Sequence, residues 1–171
     1  MTLTTERLIL EQPTAADFQR FYEIYGDPET NAFNPYGGMS YERANTIFPE
    51  ILSHWNIHDF GLWKIKTKES PDRIIGFGGL SWKKYILEDR LNLGYRLDTA
   101  AWGKGFATEL ANNAITYGFN TLDKPEIFAI VRPANKPSIH VLEKCRFDHV
   151  GYLDDFPGLE KSLIYKLQRK T

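Results

Sequence analysis

A chain of 171 residues, 42% hydrophobic and 14% aromatic, carries enough apolar material for one packed domain over residues 1–171. Its formal charge of −1 gives no electrostatic footing for nucleic acid or for an anionic membrane surface. A lone cysteine, Cys145, excludes an internal disulfide, and no run approaches the ~18 apolar residues of a membrane helix. The start lacks a basic segment followed by an apolar run, so no signal peptide is expected and the cytoplasm is the expected compartment.

In chain order, Arg7 to Glu11 reads as a first strand. Pro13 to Asp17 looks like a helix start, with Phe18, Phe21, Tyr22 and Tyr25 at helical spacing and Gly26-Asp27-Pro28 as the stop. Asn31 to Gly38 is rich in turn residues and reads as a loop. Ser40 suits the cap of a helix running to about His58, whose apolar stripe is Ile47, Ile51, Leu52 and Trp55. Gly61 to Lys66, Ile74 to Trp82 and Asp89 to Leu97 then predict three strands of an antiparallel meander. Gly76, Gly78 and Gly79 in the second mark close approach of a neighbouring backbone or ligand, or simply tight packing.

The next segment is the most informative. Trp102-Gly103-Lys104-Gly105-Phe106-Ala107-Thr108 joins a strand to a helix-like run, Glu109 to Asn120. Ala107, Leu110, Ala111, Ala114, Ile115 and Gly118 form its apolar face. A glycine loop opening into a helix presents N–H groups without helical partners, at the positive end of the dipole. That arrangement favours phosphate groups; a tight turn binding nothing is the competing reading. A dinucleotide fingerprint would need a small residue where Thr108 stands, and a nucleotide-triphosphate loop would need Ser or Thr directly after Lys104.

Ile127 to Val131 is a continuous apolar run, as in a strand covered on both faces, so strand, helix and strand read as a right-handed crossover. Asn135 or Ser138 opens a last helix with Val141, Leu142 and Cys145 on one face, and Cys145 reads as a small buried apolar residue. Phe147 to Asp155 and Glu160 to Leu167 close the sheet.

Arg96-Leu97-Asp98, the Trp-Gly-Lys-Gly-Phe-Ala-Thr loop and Asn135-Lys136-Pro137-Ser138 together resemble the GNAT superfamily of N-acetyltransferases, in the branch of the ribosomal-protein N-terminal acetyltransferases. The resemblance spans the whole chain, from the Glu6 to Leu10 strand onward. The superfamily motif is Gln or Arg, two residues, Gly, one residue, then Gly or Ala. Gly105 and Ala107 match its end, while Trp102 replaces Gln or Arg. The implied fold is mixed α/β: a central, mostly antiparallel twisted sheet of six or seven strands, with a splayed parallel pair and about four helices.

The resemblance also implies a function: transfer of an acetyl group from acetyl-CoA to a primary amine, a peptide N-terminus or a small molecule, by direct attack in a ternary complex. The pyrophosphate would rest on the N–H groups from Gly103 to Thr108, with Trp102, Lys104, Phe106 and Ala107 alongside. Each charge-assisted hydrogen bond there is worth about 1.5–3 kcal/mol. Lys104 reads either as a solvated charge or as a phosphate contact. The pantetheine would pair with the edge at Tyr95, Arg96 and Leu97, and an N–H in Leu93 to Tyr95 would polarise the thioester carbonyl. Asn135 would hold the pantetheine or adenylate side.

Ser138 would protonate the departing sulfur or merely cap its helix; Tyr152 is the alternative acid, or a core tyrosine. Glu11, Glu88, Asp89, His54 and His58 are candidate bases by residue type, none with a distinctive spacing, and no metal is expected. The acceptor channel would use Asp27 to Gly38 and Tyr152 to Gly158, where Phe33, Tyr36, Asp154 and Asp155 suit a cationic amine or peptide N-terminus, or equally serve as ordinary loop residues. Arg146 stands where the family commonly has glycine, at a helix end that favours a left-handed residue. Two rivals share the motifs: a catalytically silent acyl-CoA sensor and a nucleotide-binding regulatory domain. Neither oligomeric state nor the acceptor's identity is legible.

Overall fold

The structure, a computed structural model, describes Thr2–Thr171. Its strands are β1 (Thr2–Thr4), β2 (Leu8–Glu11), β3 (Leu62–Thr67), β4 (Ile74–Tyr85), β5 (Glu88–Leu97), β6 (Glu126–Val131), β7 (Asp148–Leu153) and β8 (Ser162–Gln168). Its α-helices are α1 (Phe18–Gly26), α2 (Tyr41–His58), α3 (Phe106–Thr116) and α4 (Lys136–Lys144). The sheet has eight strands in the order β1-β2-β3-β4-β5-β6-β8-β7, against six or seven expected. The addition is β1, a short edge strand paired antiparallel with β2, whose three residues show no turn or alternation signal of their own.

Every neighbouring pair is antiparallel except β5 and β6, the two ends of the crossover through α3. That pair meets through a single register position, Asn92 opposite Phe128. Beyond it, towards their carboxyl ends, the two strands form no ladder. The β6-facing edge from Leu93 to Leu97 is therefore open, as the family resemblance implies for a splayed pair.

Two cores flank the sheet. Leu91, Leu93 and Leu97 of β5 pack with Leu110, Ala111 and Ala114 of α3 and Val141 and Leu142 of α4. On the opposite face Phe77 of β4 packs with Phe21 and Ile24 of α1 and Phe48 of α2. Gly76 and Gly78 mark close approach of the neighbouring strand and tight packing together: a Cβ on Gly76 would meet the Arg96 carbonyl oxygen at 2.5 Å and the Leu97 side chain, and one on Gly78 would meet Tyr95 and Leu110. The α3 helix starts at Phe106, three residues before the predicted Glu109, and its predicted last turn is a wider one from Tyr117 to Thr121. Gly118 lies there against Leu80 and Ile127.

The end of α4 follows the expectation for Arg146. Its φ is +68°, the Arg146 N–H donates to the Glu143 carbonyl (2.9 Å), and the Phe147 N–H donates to the Leu142 carbonyl (2.9 Å). This paired closure normally uses glycine, so Arg146 holds it at a cost of about 1–2 kcal/mol. Cys145 is buried just before it, and burial raises its thiol pKa, as suits a packing residue. Among the described residues, no helix is long and apolar enough to cross a membrane.

Candidate functional site

The Gly-rich loop sits where β5 and β6 diverge. Gly103 (φ +72°) and Gly105 (φ +80°) both take left-handed backbone, which explains why glycine stands at each. Trp102 N–H closes a short turn onto the Thr99 carbonyl (3.1 Å), and Glu109 N–H begins the helical ladder on the Gly105 carbonyl (3.1 Å). Between them the N–H groups of Gly103 to Thr108 have no acceptor among the described residues. They cluster at the amino end of an 11-residue helix, which is the chemistry an anion requires.

A carboxylate in that first turn would repel an anion, and Glu109 is one. Arg7 removes the conflict. Its Nε donates to Glu109 Oε2 (2.7 Å), its backbone N–H to Oε1 (2.7 Å), and Thr5 Oγ1 donates to Oε1 (2.5 Å). Burial pushes the Glu109 carboxyl up, but these donors and the Arg7 charge outweigh it and hold the group below its ordinary range. Arg7 Nη1 also donates to the Lys104 carbonyl (2.7 Å). Because the peptide is planar and trans, a Lys104 carbonyl turned towards Arg7 turns the Gly105 N–H the opposite way. The Arg7 guanidinium stacks on the Phe106 ring at 4.5 Å. Arg7 was legible only as part of a strand; Glu109, an acid at the head of an anion-binding helix, was the overlooked signal.

Trp102, in place of Gln or Arg, donates its indole N–H to the Leu97 carbonyl (3.1 Å) and leaves about half its surface exposed. It thus fastens the loop to the end of β5. The Lys104 side chain is exposed.

Tyr95 projects to the α3 side of the sheet, where its hydroxyl lies 3.1 Å from Ser138 Oγ. Burial raises the Tyr95 phenol, with the Ser138 hydrogen bond opposing, so it stays neutral at physiological pH. Asn135 Oδ1 accepts the Ser138 N–H (3.2 Å) and is the cap of α4. Ser138 therefore occupies the third helical position, and its hydroxyl is free of any capping duty. The capping reading of Ser138 is thereby corrected.

The other candidates scatter. Tyr152 lies on edge strand β7 with 63% of its surface exposed, edge-on to His149 at 5.0 Å. It is not a core tyrosine, and its hydroxyl makes no hydrogen bond to Ser138, which pairs with Tyr95 instead. Among the base candidates, His54 has both ring nitrogens engaged, Nδ1 with the Phe60 carbonyl (2.9 Å) and Nε2 with the Trp82 N–H (3.0 Å). Burial and nearby His58 lower its pKa against the Phe60 hydrogen bond, so it is a neutral strut. Glu11 is paired with Lys66 (3.0 Å) and Glu88 with Arg90 (2.5 Å). Asp89 is exposed beside the β4–β5 turn, and His58 is exposed in the last turn of α2.

Arg96 turns to the opposite face from Tyr95. Its guanidinium lies over the Tyr25 ring (5.2 Å) and donates to the Thr30 carbonyl. Asn31, buried in the same loop, donates to the Tyr25 (2.7 Å) and Asp27 (2.9 Å) carbonyls, so residues 27–38 are fastened to α1 and β5. The predicted channel walls do meet: the Tyr36 and Phe156 rings are 5.1 Å apart. Asp155, expected to attract a cation, is already satisfied, accepting from Ser162 Oγ (2.8 Å) with Arg132 Nη1 at 3.7 Å.

An open mixed sheet with one splayed parallel pair and an anion nest at its mouth defines the fold of acyl-CoA-dependent N-acetyltransferases. Residues 7–148 match the family described as the acetyltransferase (GNAT) domain, and the chain belongs to that family. It is 32% identical over 166 residues to the uncharacterized N-acetyltransferase p20 of Bacillus licheniformis, covering 95% of this chain and 91% of the relative. The crystal structure of an acetyltransferase from Agrobacterium tumefaciens superposes with a TM-score of 0.83 at 26% identity, covering 99% and 95% of the two chains. The spermidine N-acetyltransferase of Vibrio cholerae, solved in complex with CoA and spermine, shares the fold with a TM-score of 0.73 at 19% identity, covering 96% of each.

Proposed function

We propose that residues 1–171 form one domain that transfers the acetyl group of acetyl-CoA to a primary amine in a ternary complex. The observation that carries this reading is the row of unpartnered N–H groups from Gly103 to Thr108, set beside the open β5 edge and the Tyr95–Ser138 pair. The loop residues Trp102 to Thr108 would receive the pyrophosphate mainly through backbone, so side-chain identity there matters little outside the glycines. The edge from Tyr95 to Leu97 would pair with the pantetheine amides as an added strand, and Asn135 would flank it at the start of α4. This fit rests on the donor set: six N–H groups converge at a helix terminus whose one acidic side chain is neutralised by Arg7.

The amine nitrogen attacks the thioester carbonyl carbon, the carbon–sulfur bond breaks, and the products are the acetamide and coenzyme A. A β6-facing N–H between Leu93 and Tyr95 would stabilise the oxyanion. Ser138, hydrogen-bonded to a neutral Tyr95, would return a proton to the leaving thiolate. The proton lost by the amine would pass to water, since His54 is locked, Glu11 and Glu88 are paired, and Asp89 and His58 make no contact with the Tyr95–Ser138 pair. A peptide α-amino group, with a pKa near 8, needs less help than a lysine near 10.4.

The test is release of free coenzyme A from acetyl-CoA across a panel of peptides, polyamines, aminoglycosides and amino acids. Amine-dependent thiol release is the expected result. Tight coenzyme A binding with no turnover on any amine would instead assign the protein as an acyl-CoA sensor.

A further inference from the structure

Among the described residues, three polar side chains are buried: Asn31, Asn92 and Ser162. Asn31 donates to the Tyr25 and Asp27 carbonyls, and Ser162 donates to Asp155. Asn92 is engaged at one end only. Its Oδ1 accepts from the Tyr85 hydroxyl (2.5 Å), while nothing among the described residues accepts from its Nδ2. The side-chain nitrogens sealed from solvent without a partner are those of Trp63, Arg96 and Asn113, so Asn92 Nδ2 borders open space.

That space lies over Gly94. Asn92 is the β5 residue in register with β6, opposite Phe128, and so stands where the two strands part. Side chains alternate along a strand, so Gly94 shares the face of Asn92 and Arg96, the face on which Phe77 meets α1. A Cβ at Gly94 would lie 3.4 Å from Asn92 Nδ2 and, its chain neighbours aside, within 4 Å of no other atom. The strand thus carries a hollow at the mouth of the gap, and one wall of it is an amide nitrogen with hydrogens to donate.

Tyr85 decides which end of the amide faces this hollow. It is buried beside Phe128, with the ring centroids 5.9 Å apart. Burial pushes its phenol up, so the hydroxyl keeps its proton and donates it to Oδ1. Only Nδ2 is then left for the hollow, and a hydrogen bond received at Oδ1 polarises the amide and strengthens its N–H as a donor.

The thioester would lie along the open edge from Leu93, and two groups would meet near Gly94. The attacking amine needs its lone pair for the carbonyl carbon, so an N–H donor has nothing to offer it. The carbonyl oxygen gains negative charge as the amine adds, and fixed neutral donors stabilise that charge. We infer that Asn92 donates through Nδ2 to the acetyl carbonyl oxygen, as the side-chain companion of the backbone N–H between Leu93 and Tyr95. This rests on the acetyl-transfer reading above. Asn92 is then a catalytic residue, and Tyr85, which acts through it, a positioning residue.

The test reads the carbonyl itself. Acetyl-CoA, isotopically labelled at the carbonyl carbon, is bound without an acceptor and followed by infrared difference spectroscopy. A donated hydrogen bond lowers the stretching frequency, so Asn92→Leu, close in shape but without a donor, should move the band to higher frequency. Tyr85→Phe should move it the same way by less, and carries the same reading should Asn92→Leu not fold. In turnover, Asn92→Leu should lower kcat by about 10²–10³-fold with little change in the KM for acetyl-CoA. The double variant should be no slower than Asn92→Leu, since Tyr85 acts only through the amide. It should melt higher than Asn92→Leu, because it removes the phenol left without a partner. An unmoved band or an unchanged kcat in the folded variants overturns the inference. The expected band shift with no acetyl transfer to any amine overturns the enzyme reading alone, and wild-type protein that binds no acetyl-CoA overturns the reading beneath both.

Discussion

The two faces of the sheet around β5 build their halves of the site from different material. On the α3–α4 side the unpartnered groups are mostly backbone: N–H groups ordered by two left-handed glycines and steered by one arginine on one carbonyl. On the α1–α2 side the polar groups are side chains already engaged with one another: Arg96 with the Tyr25 ring and the Thr30 carbonyl, and Arg132 with Asp155 and the Phe156 ring. A backbone nest tolerates sequence change as long as its turn is kept. A side-chain cluster changes its preference with each substitution. One fold can thus keep its acyl donor while varying its acceptor.

The largest effect expected on the backbone-built side falls on its one side-chain component, the Tyr95–Ser138 pair. Ser138→Ala should lower kcat by about 10²–10⁴-fold with little change in the KM for acetyl-CoA. Since Asn135 holds the cap, Ser138→Ala should leave the melting temperature near wild type. If the two hydroxyls act as one unit, Tyr95→Phe and the double variant should cost about as much as Ser138→Ala alone. Full turnover in Ser138→Ala would leave water as the proton source.

Next comes the nest. Gly105→Asp should weaken coenzyme A binding by at least about tenfold, by placing a carboxylate against the pyrophosphate. Gly105→Ala carries the left-handed strain, about 1–2 kcal/mol, without the charge, so calorimetry on both variants separates the two causes. An unchanged dissociation constant in folded Gly105→Asp would remove the loop from the site.

Asn135→Ala should cost about 1 kcal/mol of stability through loss of the α4 cap, read as a lowered melting temperature beside an unaltered Ser138→Ala. That contrast inverts the roles the sequence left open for these two residues.

The smallest effect is pH-dependent. Glu109 has a folded-state pKa below its unfolded value, so its contribution is fully present above the unfolded pKa and is lost as pH falls through the folded one. Relative to Glu109→Gln, wild-type protein should therefore be more stable near neutrality and lose that advantage on acidification through and below the ordinary carboxylate range. Thermal melts of both proteins over that range check it. A constant difference would mean that the Arg7–Glu109 pair does not order the amino terminus of α3.

Reading the sequence located the backbone-built side well, because its determinants are contiguous. Gly103 and Gly105, two residues apart between a strand and a helix, encode the turn by their own conformational freedom, whereas the left-handed helix end at Arg146 was legible only through the family's usual glycine there. The splay of β5 from β6 came only through resemblance, since no periodicity distinguishes a strand that pairs at one position from one that pairs throughout. On the α1–α2 side the sequence could name the two loops but not their contacts: the Tyr36 and Phe156 rings meet at 5.1 Å, and Asp155 accepts from Ser162 with Arg132 beside it.

What the sequence determined by itself is therefore local: apolar periods that place helices and strands, and glycine spacing that fixes the phosphate-type turn. Only the tertiary structure brought Arg7 to Glu109 and Lys104 across about a hundred residues, and Tyr95 to Ser138 across 43. Only it showed that Asp155 already accepts from Ser162 with Arg132 beside it. Local backbone preference is a property of a few adjacent residues. The balance of charge in a cleft depends on which distant side chains the sheet sets side by side.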